Sequence, residues 1–190
     1  AFPSGRSSLP IKIMDTKEAV ANGADEIDMV IDRGAFLSGK FGVVFDQIVA
    51  VKEACRRENG TYAHLKVILE TGELNTYDNV RKASWLSILA GGDFIKTSTG
   101  KVGINATLEA AEIMLTVIEE TRRDQLIEVG FKPAGGIRTL EDAAAYLELA
   151  DRILGHSWVS ASTFRFSASG LLDALIGVLD GSGAAAGEEY

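Results

Sequence analysis

Cysteine is almost missing from this chain: Cys55 is the only one in 190 residues. No internal disulfide can form, and a reducing cytoplasm is the expected compartment. Histidine is scarce as well. His64 and His156 stand far apart, without cysteines at ligand spacing, so no metal site is expected. No run of lysine or arginine offsets the net charge of -8, which argues against nucleic acid as a main partner. No apolar stretch has the length of a membrane span, and no signal-peptide pattern is evident. What remains is an ordinary globular composition, 46% hydrophobic and 24% charged, in a chain long enough for one domain with a core. Cys55 itself continues the helical stripe Val44, Ile48, Val51, where packing explains it better than catalysis.

Against this plain background, charges stand inside apolar strands. Lys66 lies in HLKVILE, Lys96 in DFIKTSTG, Lys132 in VGFKPAGG and Asp28 in DEIDMVI. A charge in a hydrophobic strand is costly unless it is paired or used. Side chains of a strand alternate between its faces, so Ile27, Met29 and Ile31 share one face while Glu26, Asp28 and Val30 share the other. By the same rule Leu65, Val67 and Leu69 oppose Lys66, Ile68 and Glu70. Lys96 points away from Ile95, and Lys132 away from Val129 and Phe131. The apolar faces are expected to pack on helices, and the charged faces to line whatever the sheet encloses.

Helical and strand patterns alternate along the chain. Helices are predicted over 13–21, 44–57, 77–90, 108–121 and 171–179, and strands over 26–31, 64–70, 94–97, 128–133 and 163–167. Thr139, with Asp142 three positions on, predicts a capped helix start. Such a βα array is the pattern of a parallel sheet. An eight-unit barrel takes about 250 residues, so five strands predict only part of one. The domain reading is a partial barrel over 1–180 and a flexible low-complexity tail over 181–190. Tyr190 ends that tail, where it is either disordered or folds back over the pocket as a proton donor.

Buried lysines on adjacent strands suggest amine chemistry. A lysine that attacks a carbonyl must be neutral, and bringing its pKa from about 10.4 to near 7 takes about 4 kcal/mol. Burial and a second cation both act in that direction. Lys96 and Lys132 are one crossover apart, and Asp28 is placed to accept or relay a proton. Alternatively, each lysine is neutralised by a buried carboxylate such as Glu26 or Glu70, a reading that weighs most for Lys66. The loops after these strands are rich in small residues. PAGGIRTLED offers Gly135 and Gly136 before a helix N-terminus, where backbone N–H groups can close on a phosphate. TSTGKVG adds hydroxyls and Lys101, but it lacks the Ser or Thr after the lysine that a nucleotide P-loop requires. FRFSASG supplies a third such end.

The segments GADEIDMV, LKVILETGEL, GGDFIKTSTGKV, VGFKPAGGIRTLEDA and FRFSAS together resemble deoxyribose-phosphate aldolase, a class I aldolase family on the TIM (β/α)8 barrel. They span nearly all of 23–179 in the same order. The resemblance implies reversible cleavage of 2-deoxy-D-ribose 5-phosphate to D-glyceraldehyde 3-phosphate and acetaldehyde, with no metal or organic cofactor. It assigns Lys96 as the Schiff-base lysine, Lys132 as its perturbing neighbour and Asp28 as the proton relay. Gly135, Gly136 and Ser169 match the phosphate contacts, with Lys101 nearby. Ser167 and Gly170 stand where the family has a glycine and a second serine. The family also has about three further strands ahead of the segment AFPSG, so only about the last five βα units are expected here. Expected partners are a sugar phosphate and an aldehyde, with a homodimer as an open option and no nucleic acid or membrane. Two other readings stay open: a different sugar-phosphate-binding barrel enzyme, and a catalytically inactive barrel fragment.

Overall fold

A computed structural model describes residues 1–167 and 169–181 of the chain. Tyr190 and nearly all of the tail predicted over 181–190 lie outside the described residues. The chain alternates helices and strands in the order α1 (Leu9–Ala21), β1 (Glu26–Val30), α2 (Arg33–Leu37), α3 (Phe41–Ala54), β2 (His64–Ile68), α4 (Tyr77–Leu89), β3 (Phe94–Lys96), α5 (Leu108–Gln125), β4 (Gly130–Lys132), α6 (Leu140–Leu154) and α7 (Ser169–Leu179). Local chemistry sets many of the helix starts. The hydroxyls of Thr76, Thr107 and Thr139 each accept an N–H of the first turn of α4, α5 and α6. At α6 the predicted capping box forms in both directions. The short α2, which the sequence pattern did not predict, begins where the Asp32 carboxylate accepts the Ala35 N–H.

The four strands form one parallel sheet in the order β1-β2-β3-β4. Crossovers of one hand through a sheet without reversal put every helix on one face. The burial agrees: Met29, Leu65, Val67, Ile95 and Phe131 join the apolar cluster that also holds Val44, Ile48, Ala83, Met114 and Ile118 from the helices. The opposite face presents two registered rows. Asp28, Lys66, Phe94 and Gly130 are neighbours in one, and Val30, Ile68, Lys96 and Lys132 in the next. The two-face expectation is met along β1 to β4, but not at Glu70, which was expected on the lumen face with Lys66 and instead turns left-handed just past β2.

The predicted fifth strand, 163–167, departs from regularity for an identifiable reason. Thr163 O accepts the Phe131 N–H at 2.7 Å, Arg165 N–H reaches Phe131 O at 3.1 Å, Ser167 N–H reaches Pro133 O at 3.1 Å, and Gly135 N–H reaches Ser167 O at 3.4 Å. The bond missing from this ladder is the one residue 133 would donate, and proline has no N–H. The segment therefore pairs with the β4 side through two isolated bridges, Phe131 with Phe164 and Ala134 with Ser167.

A flat sheet would separate β1 from this segment by about 19 Å, four strand spacings. Yet the Arg165 guanidinium grips the Glu26 carboxylate of β1 with two contacts of 3.1 Å. Only a sheet curled toward its charged face allows this, so the strands form a curved parallel sheet of the TIM-barrel type with helices on its outer side.

Candidate active site

The curl gathers the strand charges into one chain of alternating sign. Arg165 holds Glu26 in the bidentate fork that guanidinium and carboxylate favour. Lys66 donates to Glu26 at 2.7 Å and lies 3.0 Å from Asp28 Oδ1. Lys96 donates to the other oxygen, Asp28 Oδ2, at 2.8 Å. Both lysines are buried, with side chains only 5% and 7% exposed. Burial alone would raise the Asp28 carboxyl, but the hydrogen bonds and charges of Lys96 and then Lys66 outweigh it and hold it below the usual carboxylate range. Glu26 is lowered likewise, its desolvation overcome by Lys66 and Arg165.

Lys132 lies directly across the ladder from Lys96. Among the described residues no carboxylate lies within ion-pair distance of it. Its pKa is lowered first by burial and then by the nearby Lys96 ammonium, with Asp28 opposing. Lys132 is therefore a neutral base more readily than an ordinary surface lysine. The fold places Asp28 against Lys96, and Lys132 beside Lys96 on the neighbouring strand.

Lys66 meets the carboxylate alternative, pairing with Glu26 at 2.7 Å. Its partners are Glu26 and Asp28; Glu70, the other carboxylate considered, touches no lysine. Glu70 binds Thr99 and Arg33 instead, because the backbone breaks strand alternation there. Phe94 and Arg165 carried no signal in the strand pattern. The Phe94 ring leans over Gly130, where a Cβ would meet it at 2.3 Å, and Arg165 stacks on the same ring at 5.5 Å.

At the carboxyl ends of the strands, Gly135 and Gly136 have φ of 81° and 84°, the left-handed region where a side chain is strained. Gly135 also packs against Asn105, which would meet a Cβ at 2.8 Å, whereas Gly136 faces open space. The N–H groups of Arg138 and Thr139 are already held by Asp142, so the open part of this helix start is at the glycines. Lys101 is exposed, and its N–H donates to Thr99 Oγ1 at 3.2 Å. Ser169 opens α7. Thr97 closes the end of the β3–β4 pair, accepting the Ala134 N–H at 3.0 Å. Cys55 is packed in the core, its thiol pushed up to about 11 by burial. No group of three or more metal-ligating side chains occurs among the described residues, nor does a helix long and apolar enough to cross a membrane.

A profile of the DeoC/LacD family aldolases matches residues 1–186. The chain belongs to that family. Within it, the chain is 50% identical over 180 residues to the deoxyribose-phosphate aldolase of Agrobacterium fabrum, covering 95% of this chain and 66% of that protein. The fold matches a crystal structure of a candidate deoxyribose-phosphate aldolase from Coccidioides immitis at a TM-score of 0.79 and 32% identity, over 94% of this chain and 62% of the other. At 23% identity a second candidate deoxyribose-phosphate aldolase, from Toxoplasma gondii ME49, shares the fold at a TM-score of 0.80, over 95% of this chain and 69% of the other. The chain thus spans somewhat less than two thirds of the length of the first two.

Proposed function

We propose that this family member is a class I aldolase that reversibly cleaves 2-deoxy-D-ribose 5-phosphate to D-glyceraldehyde 3-phosphate and acetaldehyde, with Lys96 as the imine-forming amine. The contact that carries the reading is Lys96 Nζ to Asp28 Oδ2, 2.8 Å in a buried lumen, with Lys132 opposite on the next strand. In this reading the neutral Lys96 amine adds to the C1 carbonyl of the open-chain sugar, and water leaves to give the protonated imine. The C3 hydroxyl then loses its proton and the C2–C3 bond breaks. Its electron pair moves into the iminium as an enamine, and glyceraldehyde 3-phosphate departs. Protonation of the enamine carbon and hydrolysis release acetaldehyde and return the amine. Asp28 is assigned the proton relay because both its oxygens are already held by amines. Lys132, with its lowered pKa, is the second amine of the pair. Lys101, Gly135, Gly136 and Ser169 are assigned to the phosphate, at the strand ends above the lysines.

We also assign the five strand segments to the closing units of an eight-unit barrel. Two observations support this. The outer edges of β1 and of 163–167 are unpaired among the described residues. On α7, Leu172 and Leu179 are 60% and 85% exposed, an apolar face that a further layer would cover.

The test is borohydride reduction in the presence of acetaldehyde, followed by peptide mass mapping. An ethyl adduct on Lys96, competed by deoxyribose 5-phosphate and lost together with cleavage in Lys96→Ala, is the expected result. Cleavage at the wild-type rate by Lys96→Ala would sink the assignment.

A further inference from the structure

Glu70 combines three features that are individually unfavourable and that meet beside Lys96. The first is a bulge. Leu69 N–H donates to Lys96 O at 3.0 Å, and Thr71 N–H donates to Thr97 O at 2.9 Å. The β2 side thus advances two residues while the β3 side advances one, and Glu70 is the residue left over. The second is its backbone, at φ 57° and ψ 61°, a left-handed conformation that costs a non-glycine residue about 1–2 kcal/mol. The third is burial: the carboxylate is fully inaccessible, and a desolvated charge costs several kcal/mol unless it is well bonded. Outliers of this kind persist where the surroundings hold them for a purpose.

The partners show what the purpose is. Glu70 Oε1 accepts the Thr99 N–H at 3.0 Å, and Oε2 accepts the Thr99 hydroxyl at 2.6 Å. The Arg33 guanidinium lies 3.8 Å from Oε2 and donates to Ser4 O at 3.1 Å. Thr99 Oγ1 in turn accepts the Lys101 N–H. One buried carboxylate therefore ties together the segments that follow β1, β2 and β3, and the connection ends on the backbone of Lys101.

We propose that Glu70 is a positioning residue for the phosphate end of the substrate: it locks the Thr97–Lys101 turn so that Lys101 is preorganised for a phosphoryl group, and so sets the preference for phosphorylated over unphosphorylated sugar. This rests on the aldolase reading above. Glu70 touches no substrate atom in that reading and acts only through Thr99.

The experiment compares wild type, Glu70→Gln, Lys101→Ala and the double variant on deoxyribose 5-phosphate and on plain deoxyribose. Glutamine keeps the volume but offers one acceptor where two donors arrive, and it leaves Arg33 without its anion. The expected result is a fall of about tenfold in the kcat/KM ratio of phosphorylated to plain sugar, carried by KM, in Glu70→Gln. Lys101→Ala should show the same signature, and the double variant should fall no further than Lys101→Ala alone. Acetaldehyde trapping on Lys96 in Glu70→Gln should match wild type. A parallel loss on both sugars, no change on either, or multiplying effects in the double variant would each overturn the inference while leaving the aldolase reading standing. Should wild type give no adduct on Lys96, the aldolase reading fails, and inorganic phosphate decides the inference separately. Phosphate-dependent shifts of the 97–101 amide resonances, weakened in Glu70→Gln, would support it; their absence in wild type would overturn it.

Discussion

The two faces of the sheet use the same strands for opposite ends. On the helix side, Leu65, Val67, Ile95 and Phe131 are fully buried and apolar, so their contribution comes from area removed from water and from close packing. On the lumen side, one residue further along each strand, Glu26, Asp28, Lys66, Lys96 and Lys132 are packed into a space where charge is costly. The outer face explains why the protein folds, and the inner face what the folded protein can do. Buried charge of this density rarely improves stability over an apolar replacement, so its presence reports on chemistry. Lys12 offers a control. It is also buried, but it lies on α1, donates to the Gln47 amide at 2.9 Å and has its pKa lowered chiefly by burial. A buried lysine by itself is therefore not a site; Lys66 and Lys96 differ by sharing Asp28, and Lys132 by lying beside Lys96 on the ladder.

The contrast can be broken from the outer face with the largest effect on folding. Phe131→Ala removes a fully buried ring from the helix-side cluster, and a loss of about 3–5 kcal/mol is expected, read from denaturant unfolding. Survival with less than about 1 kcal/mol lost would show that the outer face is not where stability resides.

Acid sharpens the comparison from the inner face. Asp28 and Glu26 have folded pKa values held below the ordinary 3.8 and 4.5 by the lysines and Arg165 against the opposing pull of burial. Groups lowered in the folded state bind fewer protons there than in the unfolded chain. Their stabilisation is complete above those ordinary values and drains away as pH falls below about 4. Thermal unfolding followed from pH 6 to pH 2 should show this loss, and Glu26→Gln should flatten it.

The smallest expected effect is on Lys66→Met. The substitution leaves Glu26 on Arg165 and Asp28 on Lys96, so neither carboxylate is orphaned, and stability should change by no more than about 1 kcal/mol. A loss of 3 kcal/mol or more would mean that Lys66 is the keystone of the charge chain and that the lumen contributes to folding after all.

Much of this was legible along the chain. Period-two alternation placed Asp28, Lys66, Lys96 and Lys132 on one face of their strands, and parallel pairing in sequence order then had to bring them together. The α6 capping box was legible because its two partners are three residues apart. Three things were not. The helix α2 is only five residues long and leaves too short a period to detect. Segment 163–167 reads as a strand but pairs irregularly, because Pro133 across from it lacks the donor that the ladder needs. Glu70 by alternation should face Lys66, yet one bulged residue turns it to Thr99.

What the sequence determined by itself is the local pattern: which residues are helical, which alternate, and which strand positions carry charge. These follow from side-chain periodicity and short-range hydrogen bonding. Only the tertiary structure decided which charges meet. The contact of Arg165 with Glu26 joins positions 139 residues apart, and it depends on the accumulated curl of the sheet, which no single segment encodes. The left-handed turn at Glu70 is likewise set by the mismatch between two strands, a property of the pair and not of either sequence alone.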